Sequence, residues 1–103
     1  MQAVGIWKEA TGRGPDFAQA YAGNFAIGMV FRGVLTAVEL KSVERGDIET
    51  VREMRRGIFQ ASRDELIKCV EAESHRKVAT VLYDVSPEDD TSAFTFVLEP
   101  NGE

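Results

Sequence analysis

The side chains in this sequence best able to do chemistry are a group of arginines in one segment, a lone cysteine, a lone histidine and a short acidic run. Cys69 and His75 stand six residues apart, which on a helix puts them about 240° apart around the axis, out of reach as nucleophile and base. Cys69 falls on the apolar side of its segment, where a small thiol serves as a core residue. His75 falls near the segment's end, where an imidazole complements the helix dipole. Glu88, Asp89 and Asp90 offer oxygen ligands, but they lack the spaced ligands, glycine and closing glutamate of a calcium loop and read as a solvated turn. A zinc site would need more Cys and His than the sequence contains. Gly12-Arg13-Gly14-Pro15 lacks the Gly-Lys-Ser/Thr ending of a phosphate loop, and Pro15 removes an amide from any cradle, so it reads as a turn. The expectation is no catalytic residue, no metal and no cofactor.

The arginines are more informative. Counted at about 100° per residue from Ile48, Arg52, Arg55, Arg56 and Arg63 fall at roughly 40°, 340°, 80° and 60°, on or beside the apolar stripe. Val51 lies one turn before Arg55, and Ile58 and Phe59 lie one turn after it, so the stem of Arg55 should be buried. A buried guanidinium requires a carboxylate or several carbonyls, and Asp84, Glu39 and Glu73 are the candidates. One reading is an internal ion pair. The other is an anion site, with Arg52, Arg56 and Arg63 forming a strip for a phosphate, a carboxylate or an acidic partner.

These residues need elements to position them. Met1 to Ala10 suits a short helix anchored by Ile6 and Trp7, broken by Gly12 to Pro15. Gly23-Asn24 signals a two-residue hairpin turn, which would set Ala22 against Phe25, Ala20 against Ile27 and Ala18 against Met29. That face pairs small with large residues, as a layer under helices would need; the other pairs Phe17 with Val30 and is less polar than a solvated face should be. Thr36-Ala37-Val38-Glu39 reads as a capping box, with Leu35 and Leu40 at hydrophobic-staple positions. Asp47 then caps a long helix to about His75, whose register holds across Gly57, although Ser62-Arg63-Asp64-Glu65 could start a second segment. Val78 to Val85 and Ala93 to Glu99 form a closing hairpin. One of its faces carries Val81, Tyr83, Phe94, Phe96 and Leu98, the other Thr80, Leu82, Thr95 and Val97.

The order of elements predicts a single α+β domain over residues 1–103, a two-layer sandwich with a mainly antiparallel four-stranded sheet, one long helix and one or two short ones. If helices cover one sheet face, the second face around Val30, Thr80, Leu82, Thr95 and Val97 lies open, which predicts a homodimer or a docking surface. Twelve basic residues against seventeen acidic ones leave a net charge of −5, which argues against nucleic-acid binding. No apolar run approaches the roughly 18–20 residues that cross a bilayer, so membrane insertion is not expected. The single cysteine suits a reducing compartment, and a cytoplasmic location is the expectation.

From Gly12 to Pro100 the chain resembles a bacterial family labelled MpsC, the small component of a sodium-translocating, membrane-potential-generating system. The resemblance rests on Gly12-Arg13-Gly14-Pro15, Gly33-Val34-Leu35-Thr36-Ala37-Val38-Glu39 and Val51-Arg52-Glu53-Met54-Arg55-Arg56 with Phe59 and Arg63. Lys77-Val78, Asp84 and Phe96-Val97-Leu98-Glu99-Pro100 complete it. Relatives often carry proline just after the position of Arg63, where this chain has Asp64, a difference that lets the long helix run on. The resemblance implies a non-enzymatic accessory role beside a membrane transport complex. The alternative is a small-anion sensor using Arg52, Arg55 and Arg56.

Overall fold

The computed structural model describes residues 2–100. Helix α1 (Gln2–Thr11) leads into a hairpin of β1 (Phe17–Ala22) and β2 (Ala26–Arg32). Then come α2 (Ala37–Glu44), the long α3 (Ile48–Ser74), and a second hairpin of β3 (Val78–Ser86) and β4 (Thr91–Leu98) joined through a 3-10 turn at Pro87–Asp89. All pairings are antiparallel, in the order β1-β2-β4-β3. The second strand of each hairpin therefore lies at the sheet centre, and the first strand of each forms an edge. The α+β architecture is the expected one.

The first hairpin departs from expectation in its register. Gly23 N–H donates to the Ala26 carbonyl at 2.8 Å, so the two turn residues are Asn24 and Phe25 rather than Gly23 and Asn24. Neither Gly23 nor Asn24 takes a positive φ, and the primed turn that their types suggest does not form. Ala22 consequently pairs with Ile27, Ala20 with Met29 and Ala18 with Phe31, while Val30 lies opposite Gln19 instead of Phe17. A slide of two leaves every residue on its predicted face. What this register gains is a seat for Tyr21, whose ring lies over Gly28; a Cβ there would sit 2.9 Å from its Cε2.

α1 is held by Trp7, fully buried, whose ring meets Phe94 edge-on at 5.1 Å and Tyr83 at 5.3 Å. α2 starts with the predicted box: the Thr36 side chain accepts from Glu39 N–H, and the Glu39 carboxylate accepts from Thr36 N–H. Of the two staple positions, Leu35 is buried and Leu40 exposed. Asp47 occupies the N-cap of α3 but makes no side-chain cap, its ψ of 49° falling short of the extended conformation such caps use. α3 is one helix of 27 residues, running through Gly57 and Ser62 without a break and ending at His75, a left-handed C-cap with φ 59°. Val51, Arg55, Phe59, Ser62, Leu66, Cys69 and Val70 make its buried stripe, at the spacing of one helical face.

α3 packs on β3, and α1 packs beside α3. This corrects the expected cover over the alanine row of β1. Phe31 and Met29 of β2 are buried, but every residue of β1 is exposed, including Ala18, Ala20 and Ala22. The helices sit towards the β3 side of the sheet, leaving an apolar groove between Ala3, Val70, Met29 and Ala20. β1 is bare on both faces.

Candidate functional site

Arg55 is the one charged side chain that α3 drives into the core. Only 1% of it is exposed, because it replaces an apolar residue in the stripe between Val51 and Phe59. Its Nε donates to Glu39 Oε2 at 2.7 Å and its Nη2 to Glu39 Oε1 at 2.5 Å and to the Val34 carbonyl at 2.7 Å. The same Glu39 Oε1 accepts from the Thr36 hydroxyl at 3.0 Å. Of the three carboxylates within reach on paper, the helix cap supplies the partner. Burial alone would raise the Glu39 pKa, but the bonds from Arg55 and Thr36 outweigh it and hold the carboxyl below its ordinary value. The pair is a bidentate clamp that ties α3 to the start of α2.

The remaining arginines go elsewhere. Arg52 pairs with Glu49 and approaches Glu88 at 3.7 Å, and its Nε reaches the Val85 carbonyl at 3.4 Å. Arg56 meets Asp84 at 3.3 Å, and Asp84 Oδ1 also accepts from Val85 N–H at 2.9 Å. Arg63 sits against Asp64 at 3.8 Å. Arg52, Arg56 and Asp84 thus meet at the outer edge of β3, whereas Arg55 is separated from them in the core and Arg63 lies further along the helix. Each arginine of the expected strip faces a carboxylate of its own chain.

Cys69 lies buried, and burial followed by the nearby Glu73 pushes its thiol pKa up, which makes it a poor nucleophile. His75 is exposed at the end of α3. No group of three His, Cys, Asp or Glu side chains among the described residues is placed to hold a metal ion.

Asp90 shows what sequence reasoning missed. Read as part of a solvated turn, it adopts a left-handed conformation, with φ 50°, and its Oδ1 accepts from both Val34 N–H and Leu35 N–H at 2.8 Å. It pins the exit of β2, and so the carbonyl that Arg55 uses, to the second hairpin. No local signal marks this, because the partners are 56 and 55 residues away.

The face of the sheet turned from the helices is uncovered. Cross-strand register lays its residues in rows: Tyr21, Gly28, Thr95 and Leu82 form one, and Gln19, Val30, Ala93 and Asp84 the next. Val97 stands between Ala26 and Thr80 in a third. The expected residues Val30, Thr80, Leu82, Thr95 and Val97 therefore share one surface, with Leu82 62% and Tyr21 56% exposed on it.

A family model described as "Na+-translocating membrane potential-generating system (MpsC)" matches residues 2–100. The chain belongs to the MpsC family. No curated protein and no solved structure matches it. No helix among the described residues of this MpsC-family chain is long and apolar enough to cross a membrane. Residues of the MpsC-like motifs converge on the clamp: Val34 and Glu39 bond Arg55 directly. Arg13 holds the Leu35 carbonyl and Asp16, beneath the left-handed Gly33, where a Cβ would strike the Asp16 side chain. In this structure those motif residues build a scaffold.

Proposed function

We propose that this MpsC-family chain is a non-catalytic accessory component of the sodium-translocating system, acting from the cytoplasmic side as a dimer and docking its open sheet face against a transport subunit. The open face carries the reading. Four strands present Tyr21, Val30, Leu82 and Val97 among threonines, and no element among the described residues covers them. An uncovered surface of this kind on a small domain favours a partner. The arginines add support by a different route: with Arg52, Arg55, Arg56 and Arg63 each facing a carboxylate, an anion sensor would first have to displace those acids.

Tagged protein recovered from detergent-solubilised native cells should bring transport subunits with it. Val97→Lys should abolish that recovery while changing the unfolding free energy by no more than about 1 kcal/mol. Recovery unchanged by Val97→Lys removes the face from the account. The sensor reading predicts a thermal shift with phosphates, nucleotides or carboxylates at about 1 mM; the accessory reading predicts none.

A further inference from the structure

Which part of the surface joins two copies follows from comparing what each strand leaves unpaired. Gly23 N–H bonds the Ala26 carbonyl, making that pair a bonded one. Alternation along an antiparallel ladder then turns the backbone of Tyr21, Gln19 and Phe17 towards β2, and that of Ala22, Ala20 and Ala18 outward. The outward groups therefore belong to three alanines on a strand with no charged residue, no proline and no bulge. Neither face of the strand is covered, and the Tyr21 ring leans inward over Gly28, leaving the edge clear.

We infer that a second copy of this chain pairs antiparallel along β1, with the two-fold axis passing midway between the two Ala20 residues. This rests on the dimer reading above and gives it a place. With the axis there, Ala20 faces Ala20 of the second copy, and Ala18 faces Ala22 of the second copy. All three outward amides and carbonyls of each chain find partners. Gln19 meets Tyr21 of the second copy, and no like charges are set opposite one another. Small side chains at every bonded position allow the backbones to approach without a clash. The axis stands normal to the sheet, so both open faces point the same way. Two four-stranded sheets become one of eight strands, roughly 35–40 Å across. The edge thus serves the second copy, and the doubled face remains free for the transport subunit.

A strand-edge contact buries less than a standard interface, so association should be weak. Sedimentation of the whole chain should show the mass rising from one copy to two between about 10 µM and 1 mM. Over that range, the amides of Ala18, Ala20 and Ala22 should pass from fast to slow hydrogen exchange. Ala20→Pro removes an N–H that β2 does not use, so it should stay monomeric with unchanged circular dichroism. If that variant fails to fold, the exchange of the wild-type amides still decides. A monomer throughout the range overturns the pairing. So does a dimer whose alanine amides stay fast, which would place the contact elsewhere. Protection that arises only on adding the transport subunit would assign the edge to that subunit and equally overturn it. Val97→Lys should leave the mass unchanged, so docking and self-pairing fail separately.

Discussion

The two edges of the sheet are treated in opposite ways. At β3 the Val85 N–H is taken by Asp84 and the Val85 carbonyl by Arg52. Arg56 lies across Asp84, Glu71 takes the Val78 N–H at 2.9 Å, and a register shift interrupts the ladder between Val78 and Thr80. Charge and a bulge are the usual devices against edge-to-edge pairing. At β1 none of them is present along Phe17–Ala22. The difference has a cause in the helical layer. α3 runs along β3, so its arginines can reach over that edge, while no helix runs along β1. The chain's own side chains cover the β3 edge near its two ends, and the β1 edge carries no such cover.

The strongest way to break this contrast is to loosen α3. Arg55→Ala strands Glu39 in the core without its cation, and loss of one partner of a buried pair costs about 3–5 kcal/mol. Chemical denaturation should show a loss of that order. The same clamp gives a pH dependence of known sign. The folded Glu39 pKa lies below its ordinary value of 4.5, so its stabilisation is complete above that value and is lost as pH falls through the folded value. The melting temperature should therefore drop on acidification below about pH 4.5, and Glu39→Gln should flatten that part of the profile.

Uncapping β3 sharpens the contrast with less effect on stability. Arg52→Ala with Asp84→Ala removes exposed or half-exposed ion pairs worth about 0–1 kcal/mol each. It also frees both backbone groups of Val85. With two open edges per chain, pairing no longer closes, and light scattering should detect species larger than two copies. If the mass stays at that of wild type, these side chains are not what guards the edge.

The smallest effect is expected at Gly28→Ala. The new methyl would meet the Tyr21 ring at 2.9 Å, and because the ring is half exposed it can give way at a cost below about 1 kcal/mol. Swung outward, it would obstruct the β1 edge. Sedimentation should show several-fold weaker self-association with the melting curve nearly unchanged.

Interactions that close over a few residues were legible. The Thr36–Glu39 box was readable because both partners lie within one turn, and the long helix was readable because its apolar stripe repeats through 27 residues. Which residues share a strand face followed from period-two alternation and survived a register error of two. The turn itself misled, since Gly23-Asn24 carries a strong local signal that pairing across Tyr21 and Gly28 overrides. The burial of Arg55 was also readable from its neighbours on the helix. The identity of its partner was not, because Asp84, Glu39 and Glu73 carry the same charge and all lie many residues from Arg55, so that only the packing of the elements selects among them.

By itself, then, the sequence determined the elements, their faces and the presence of a half-apolar sheet surface. Only the tertiary structure decided that Glu39 receives Arg55, that Asp90 pins the end of β2, and that Arg52 and Arg56 guard β3. It alone left β1 bare on both faces and along its edge. The reason is the same in each case. Local propensity and periodicity are written within a few residues, whereas strand order and helix placement emerge from packing the whole chain at once.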